Sequence, residues 1–160
     1  MKKTTSLVVL FVALLMSASV AHAHFLGYSS VDSGEIRWGG STTYSTEWNG
    51  GISTWNALGA INIAPDTIWT IEDLTVSDTN AGDSGWTGQY TYYSLGADTI
   101  QLNTYYLSGD TSSERQNTTT HELGHSLGLA HSYSGNVMYS SQTSQTSLGT
   151  HDTEDYNTLY

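Results

Sequence analysis

Apolar residues along this chain recur at spacings that predict a mixture of helices and strands. One stripe repeats at intervals of four, four, three and three residues, as on one face of an amphipathic helix. Its members are Tyr44, Trp48, Ile52, Trp55 and Leu58. Gly59 follows directly, and glycine is common where helices end. The pattern predicts a long helix that ends at Gly59 and buries this stripe in the core.

Shorter segments rich in β-branched and aromatic residues are predicted to be strands. They lie at residues 35–38, 61–63, 69–76, 86–93 and 99–103. Pro65 and Asp66 separate the second segment from the third. Residues 140–150 are rich in Ser, Thr and Gln, which predicts a loop before a short last helix. A length of 160 residues leaves room for one core, so we expect a single α/β (α+β) domain.

A second long helix is predicted to begin near Thr111. Thr111 and Glu114 have the spacing of a capping box, in which each side chain accepts a hydrogen bond from the other residue's backbone N–H. The predicted helix runs to Leu127 and carries most of the segment from His121 to His131, which reads H-E-L-G-H-S-L-G-L-A-H. This segment is the most informative part of the chain.

Three histidines in this segment are spaced as zinc ligands. His121 and His125 are four residues apart, so both rings project from one face of the helix. If the helix continued, His131 would lie roughly 15 Å along the axis from His121, too far to share one ion. Gly128 is therefore predicted to end the helix with a positive φ and to bring His131 back to the metal.

Glu122 is predicted to lie close to the metal without coordinating it. Zinc held by three neutral imidazoles keeps its full charge and brings the pKa of bound water near neutrality. Glu122 is predicted to be the general base that accepts the proton of this water and passes it to the leaving amine. The segment therefore predicts a zinc-dependent hydrolase.

Two other functions remain open at this stage. The zinc could be structural, in a non-catalytic secreted binding module, which needs a fourth protein ligand from His24, His151 or an acid such as Asp152. The same metal could also serve an amidase or esterase. The chain has no cysteine, the usual ligand of structural zinc, so three ligands and one open position are the simpler interpretation. Taken singly, His22, His24 and His151 are interpreted as surface or core residues.

The string H-E-x-x-H-x-x-G-x-x-H resembles the metzincin clan of zinc endopeptidases. Met138 lies seven residues after His131 and matches the methionine turn that follows the third histidine in this clan. Tyr139 directly after it, and the segment from His125 to Ser132, are similar to the matrixin (matrix metalloproteinase) family. The extra histidines and the propeptide cysteine of animal matrixins have no counterpart here, so the resemblance is to a small bacterial-type member.

This resemblance implies a metzincin-like fold and a zinc endopeptidase that acts on proteins or peptides. The fold would have a twisted five-stranded mixed sheet, two long helices, a zinc cleft, and a small C-terminal subdomain with the methionine turn and a short final helix. The upper subdomain would span residues 24–128 and the lower one 129–160. Residues 86–93 would form the antiparallel edge strand beside bound substrate. Met138 would form a floor beneath the three histidines.

A second cofactor is suggested by the loop that contains Asp78, Asn80 and Asp83. These residues bring hard oxygen ligands close together, and matrixins often bind calcium. The alternative is an ordinary polar loop, since such loops are common.

Residues 1–23 are predicted to be a secretory signal peptide. Lys2 and Lys3 precede an apolar run from Leu7 to Met16, and Ala21-His22-Ala23 fits a cleavage site. The run is about half as long as a membrane-spanning helix. We therefore expect a secreted, extracellular protein of residues 24–160 with no membrane anchor in its mature form.

The charge of the mature chain limits its partners. Arg37 and Arg115 stand against fifteen acidic residues, a net charge of −13 with neutral histidines. Nucleic acids and anionic membranes bind through Lys and Arg, so neither is an expected partner. The expected partner is a protein or peptide substrate, bound by a monomer without disulfides.

Overall fold

The computed structural model describes residues 24–160, so the predicted signal peptide at residues 1–23 lies outside the described residues. The elements of the described range are β1 (Glu35–Gly40), α1 (Ser45–Asn56), β2 (Asn62–Pro65), β3 (Leu74–Thr79), β4 (Gly88–Thr91), β5 (Asp98–Asn103), α2 (Thr104–Leu107), α3 (Ser112–Ser126) and α4 (Thr150–Leu159). Between residues 24 and 160, no helix is long and apolar enough to cross a membrane.

The five strands form one mixed sheet in the order β2-β1-β3-β5-β4. The first four strands of this order are parallel, whereas β4 pairs antiparallel with β5 and forms one edge. Along β5, Ile100 and Leu102 are fully buried, and Ile100 is paired with Val76 of β3 on one side and Tyr90 of β4 on the other. The predicted five-stranded mixed sheet is confirmed, with its antiparallel strand at the edge.

The two predicted long helices, α1 and α3, are present and pack against each other. α1 follows Tyr44 and buries Trp48 and Trp55, as its apolar stripe predicts. The indole Nε1 of Trp55 donates a hydrogen bond of 2.8 Å to the carbonyl oxygen of Thr120 on α3. Gly51 permits this close approach, because a Cβ there would lie 3.1 Å from the backbone nitrogen of Thr120.

The third strand begins later than the sequence predicts. β3 starts at Leu74 instead of residue 69, and residues 68, 69 and 71 expose large apolar side chains to solvent. The difference has a local cause, because Thr70 closes a turn: its hydroxyl donates to Asp66 and accepts from the backbone N–H of Thr67. These bonds compete with a strand ladder.

The single-turn helix α2 was also not predicted, and the side chain of Asn103 caps it.

Candidate active site

Helix α3 carries the first two histidines of the motif and has the predicted capping box. The Thr111 hydroxyl accepts from the backbone N–H of Glu114, and the Glu114 carboxylate accepts from the backbone N–H of Thr111. The helix ends at Ser126, and Gly128 has a φ of +90°, the left-handed conformation that the sequence predicts there. The chain then turns back toward α3 instead of continuing along its axis.

This turn brings the three histidines of the motif together. The ring centroids of His121, His125 and His131 are 4.7, 5.0 and 5.1 Å apart. One ring nitrogen from each lies within 4.8 Å of the others, and within residues 24–160 no further His, Asp, Glu or Cys joins this group. Three imidazoles without a fourth protein ligand form the donor set expected of a catalytic zinc site.

Hydrogen bonds fix which nitrogen of each buried histidine is free to bind an ion. His121 Nδ1 lies 2.8 Å from the carbonyl oxygen of Val137, and His125 Nδ1 lies 2.8 Å from that of Leu129. Because a carbonyl oxygen only accepts, each Nδ1 carries the proton and each Nε2 keeps its lone pair. Burial lowers the pKa of His121 to about 4 and that of His125 to about 3, so both rings are neutral near pH 7. These residues fit a zinc ion.

Glu122 lies outside the group of ligand atoms, against the edge strand. Its side chain is buried, and Oε2 accepts a hydrogen bond of 2.8 Å from the backbone N–H of Tyr90. Burial raises the pKa of Glu122 to about 8, and the Tyr90 N–H partly opposes that rise. Gly88 allows the strand to come this close, because a Cβ there would lie 2.7 Å from Cγ of Glu122.

An open cleft of about 560 Å³ lies over this group. One wall is the segment from Gly85 to Tyr90, the floor is α3, and residues 139–142 form the opposite side. The backbone N–H of Tyr90 donates to Glu122, so the backbone groups of Tyr90 face away from β5. Backbone groups alternate in direction along a strand, so those of Gly88, two residues earlier, also face away from β5. The cleft is therefore bordered by a strand edge whose backbone groups pair with no neighbouring strand.

The methionine turn is held beneath the histidines by Asp152, which from the sequence alone is only a possible fourth zinc ligand. Asp152 Oδ2 accepts from the backbone N–H groups of Val137 (2.6 Å) and Gly149 (2.8 Å), and Oδ1 accepts from that of Met138 (3.0 Å). Since the carbonyl oxygen of Val137 in turn holds His121, Asp152 supports a zinc ligand through the turn. Asp152 is the third residue of α4, directly after Gly149, and an acidic residue at this position is the one sign in the sequence of a role in capping.

Replacing Asp152 with alanine is expected to destabilise the protein strongly. Two buried backbone N–H groups and a half-buried one at Gly149 would lose their acceptor, and each unsatisfied buried group costs about 1–3 kcal/mol. We expect a loss of at least about 3 kcal/mol in the free energy of unfolding by urea, with weaker zinc binding. Asp152→Asn keeps one acceptor oxygen, so its free energy of unfolding should fall less than that of the alanine variant. If the alanine variant were as stable as the wild type, Asp152 would not support the methionine turn.

Gly124, between the two helical histidines, lets the methionine turn approach α3. A Cβ at Gly124 would collide with the sulfur of Met138 and lie 2.9 Å from the ring of Trp55. Gly124→Ala should therefore lower the free energy of unfolding by about 1–3 kcal/mol, despite the better helix propensity of alanine. Gly50→Ala in α1 is the matched control, because a Cβ there meets only the flexible end of Gln116 and should leave stability unchanged or higher. Urea titrations in which both variants behave alike would contradict this account.

Each of the three proposed calcium ligands has hydrogen-bond partners of its own. Both carboxylate oxygens of Asp78 accept hydrogen bonds from Thr42 and Thr43, and the Asp83 carboxylate accepts one from the Tyr106 hydroxyl. The side chain of Asn80 accepts from the backbone of its own turn. The three side chains thus have protein hydrogen-bond partners without any ion, and the structure gives the calcium prediction no support.

The structure brings together two other histidines that lie far apart in the chain. His24 and His151, which a structural zinc would have needed as fourth ligands, contact each other and Asp155 instead. Asp155 lies four residues after His151, on the same face of α4, and this spacing was the one available signal. His22 lies outside the described residues.

Comparison with known families identifies the kind of protein to which this site belongs. Residues 52–159 match the family Peptidase_M43, described as pregnancy-associated plasma protein-A, and this is more than half of the chain. The chain belongs to this family. As a Peptidase_M43 member it is a metzincin-type zinc metalloprotease, and the wider metzincin prediction is confirmed. The match does not specify the narrower matrixin family.

Two solved structures that are similar to this Peptidase_M43 chain share little sequence with it. The structure described as the GM1 bound form of the ECX AB5 holotoxin is 15% identical, with a TM-score of 0.58, over 79% of this chain and 80% of that one. High choriolytic enzyme 1, a hatching enzyme zinc-protease from the medaka fish Oryzias latipes, is 18% identical, with a TM-score of 0.40, over 72% and 54%. The first likeness concerns the fold alone. No curated protein sequence matches the chain.

Proposed function

We propose that this metalloprotease is a secreted zinc endopeptidase whose ion is held by His121, His125 and His131, with Glu122 as the general base. The observation that carries the proposal is the convergence of three imidazoles beside a buried carboxylate in an open cleft. An arrangement with a free coordination position is typical of catalytic and not of structural zinc. The absence of a fourth ligand atom from residues 24–160 argues against the non-catalytic binding module.

The chain's own residues have separate tasks in this proposal. Zinc bound here would supply Lewis acidity, which polarises a substrate carbonyl and makes water acidic. Glu122 accepts the proton of the attacking water and donates it to the leaving amine. Burial raises the pKa of Glu122 in the metal-free protein, which favours its holding the proton before it passes to the leaving amine, and the N–H of Tyr90 fixes its orientation.

The edge strand offers a way to bind peptides without reading their side chains. The backbone groups of Gly88 and the carbonyl oxygen of Tyr90 face the cleft, where an extended substrate can add as a further strand, while the N–H of Tyr90 is bonded to Glu122. Main-chain hydrogen bonds would then align the scissile bond along α3, close to Glu122. This arrangement favours protein or unfolded peptide substrates over small amides or esters.

Further features are inferred from the sequence. Secretion is inferred from the predicted signal peptide of residues 1–23, and the mature protein is expected to begin at His24 and to act as a monomer outside the cell. A matrixin-like character is inferred from Met138 with Tyr139 and from the segment around His131. N-terminal sequencing of the protein from the culture medium tests the first inference, and a protein retained in cells would refute it.

Cleavage of casein by the purified protein, before and after chelation, tests the proposed activity. Removal of the metal should abolish cleavage, and added zinc should restore it, because Glu122 alone cannot activate water. Magnesium is the control ion, since it prefers oxygen ligands and should restore nothing. A zinc-loaded protein that binds casein without cutting it would favour the non-catalytic module, and cleavage of small esters or amides alone would favour another hydrolase.

A further inference from the structure

A second group of metal-ligand side chains lies where the start of the described chain meets α4. His24 Nδ1 is 3.0 Å from His151 Nε2 and 3.6 Å from Asp155 Oδ2, and the last two atoms are 3.5 Å apart. None of these residues borders the catalytic cleft. Apart from the motif histidines, this is the one such group of three among residues 24–160.

These separations match those around a small tetrahedral ion. Zinc ligands lie about 2.0–2.1 Å from the metal, so in a tetrahedral site the ligand atoms are about 3.3–3.4 Å from one another. The observed triangle of 3.0, 3.5 and 3.6 Å brackets this value. An ion can therefore contact all three atoms without any large movement of the side chains.

Backbone structure holds the three ligands in place. His151 and Asp155 are one turn apart on α4, so their side chains share a face of the helix. His24 is fixed by a short antiparallel pairing, in which its carbonyl oxygen accepts from the N–H of Ala130 at 2.8 Å and Phe25 pairs with Leu129. A site assembled on main-chain pairing and one helix face loses little freedom when it binds an ion.

The surroundings also favour a cation. The Asp155 side chain is only 5% exposed, and a buried carboxylate is costly unless a positive charge accompanies it. Arg37 and Arg115 are occupied elsewhere, with Glu35 and with the carbonyl oxygen of Leu107. A divalent ion would supply a positive charge directly beside this carboxylate.

We propose that His24, His151 and Asp155 form a second site for a divalent transition metal, with zinc as the ion it fits best. Two imidazoles and one carboxylate suit zinc and its first-row neighbours better than calcium or magnesium. The ion would fasten the start of the domain to α4, the helix whose Asp152 holds the methionine turn. Its role is to stabilise the supports of the active site, because it does not reach the cleft.

Zinc stoichiometry of the untagged protein, from a preparation that retains His24, tests the proposal. Metal-free protein is titrated with zinc against a chromophoric chelator. The wild type should bind two ions, whereas His151→Gln and Asp155→Asn should each bind one and keep their cleavage of casein. Asn157→Ala, at an exposed position of the same helix, is the matched control and should still bind two.

Cobalt provides a readout that does not depend on cleavage. A His121→Ala/His125→Ala double variant removes the motif site, and one equivalent of cobalt should still give the absorption bands of a low-coordinate N/O site. Adding His151→Gln should remove them, and cobalt should raise the Tm of the double variant but not of the triple variant. One zinc per wild-type chain, or unchanged cobalt bands in the triple variant, would show a metal-free His-His-Asp hydrogen-bonded group and overturn the proposal.

Discussion

Glu122→Gln is expected to lower kcat/KM for peptide cleavage by roughly 10²–10⁴-fold while the zinc content stays that of the wild type. Glutamine keeps the size of the side chain and can accept the hydrogen bond from the N–H of Tyr90, but it cannot take a proton from water. Since Glu122 contributes no atom to the ligand group, the ion should remain. Initial rates on a quenched peptide and metal analysis of the same preparation measure both quantities.

Glu72→Gln is the matched control, because Glu72 lies away from the cleft and should retain full activity. The same loss in both variants would indicate a general effect of removing a carboxylate. Wild-type turnover by Glu122→Gln would refute general-base catalysis by this residue.

The metal-free protein gives a separate test of the environment of Glu122. Burial raises the pKa of this carboxyl from 4.5 to about 8, so the folded protein holds a proton that the unfolded chain releases at lower pH. Its contribution to stability is present below about pH 4.5 and is lost as the pH rises toward 8. In chelator, the Tm of the wild type should therefore fall more between pH 5 and pH 8 than that of Glu122→Gln. Parallel Tm curves would contradict the buried position of the carboxyl.

His131→Ala is expected to have the second large effect, a loss of zinc together with all measurable cleavage. Only two imidazoles would remain, and the penalty in zinc affinity should exceed the roughly 100-fold that loss of a supporting hydrogen bond can cost. Zinc affinity by chelator competition measures it. Ser134→Ala, an exposed neighbour in the same loop, is the control and should bind zinc as the wild type does.

Gly128→Ala tests whether the turn delivers this third ligand. An alanine at a φ of +90° is strained by about 1–2 kcal/mol, and its Cβ would lie 3.2 Å from the carbonyl oxygen of Tyr28. All three histidines remain, so zinc affinity should fall less than in His131→Ala. Unchanged zinc affinity in both variants would mean that His131 is not a ligand.

The parts of this fold that the sequence predicts are those set by short-range chemistry. The capping box at Thr111, the helix spacing of Trp48 and Trp55, and the positive φ of Gly128 each depend on residues close in the chain. β3 begins later than its apolar content predicts, because the side chain of Thr70 forms a turn before it.

The supports of the candidate site could not be predicted because they join distant segments. Asp152 holds a turn 14 and 15 residues away through backbone N–H groups, which carry no residue identity in a sequence. His24 meets His151 across 127 residues, and that contact exists only once the chain has turned at Gly128. Motif spacing identifies the proposed zinc ligands, but only the folded chain shows what positions them.

A crystal structure of the zinc-loaded protein, with an anomalous difference map at the zinc edge, tests the central claim most directly. The account predicts a peak about 2.0–2.1 Å from nitrogens of His121, His125 and His131, with solvent and no protein atom in the remaining position. A peak bound by a fourth side chain, or no density shared by these three histidines, would contradict it.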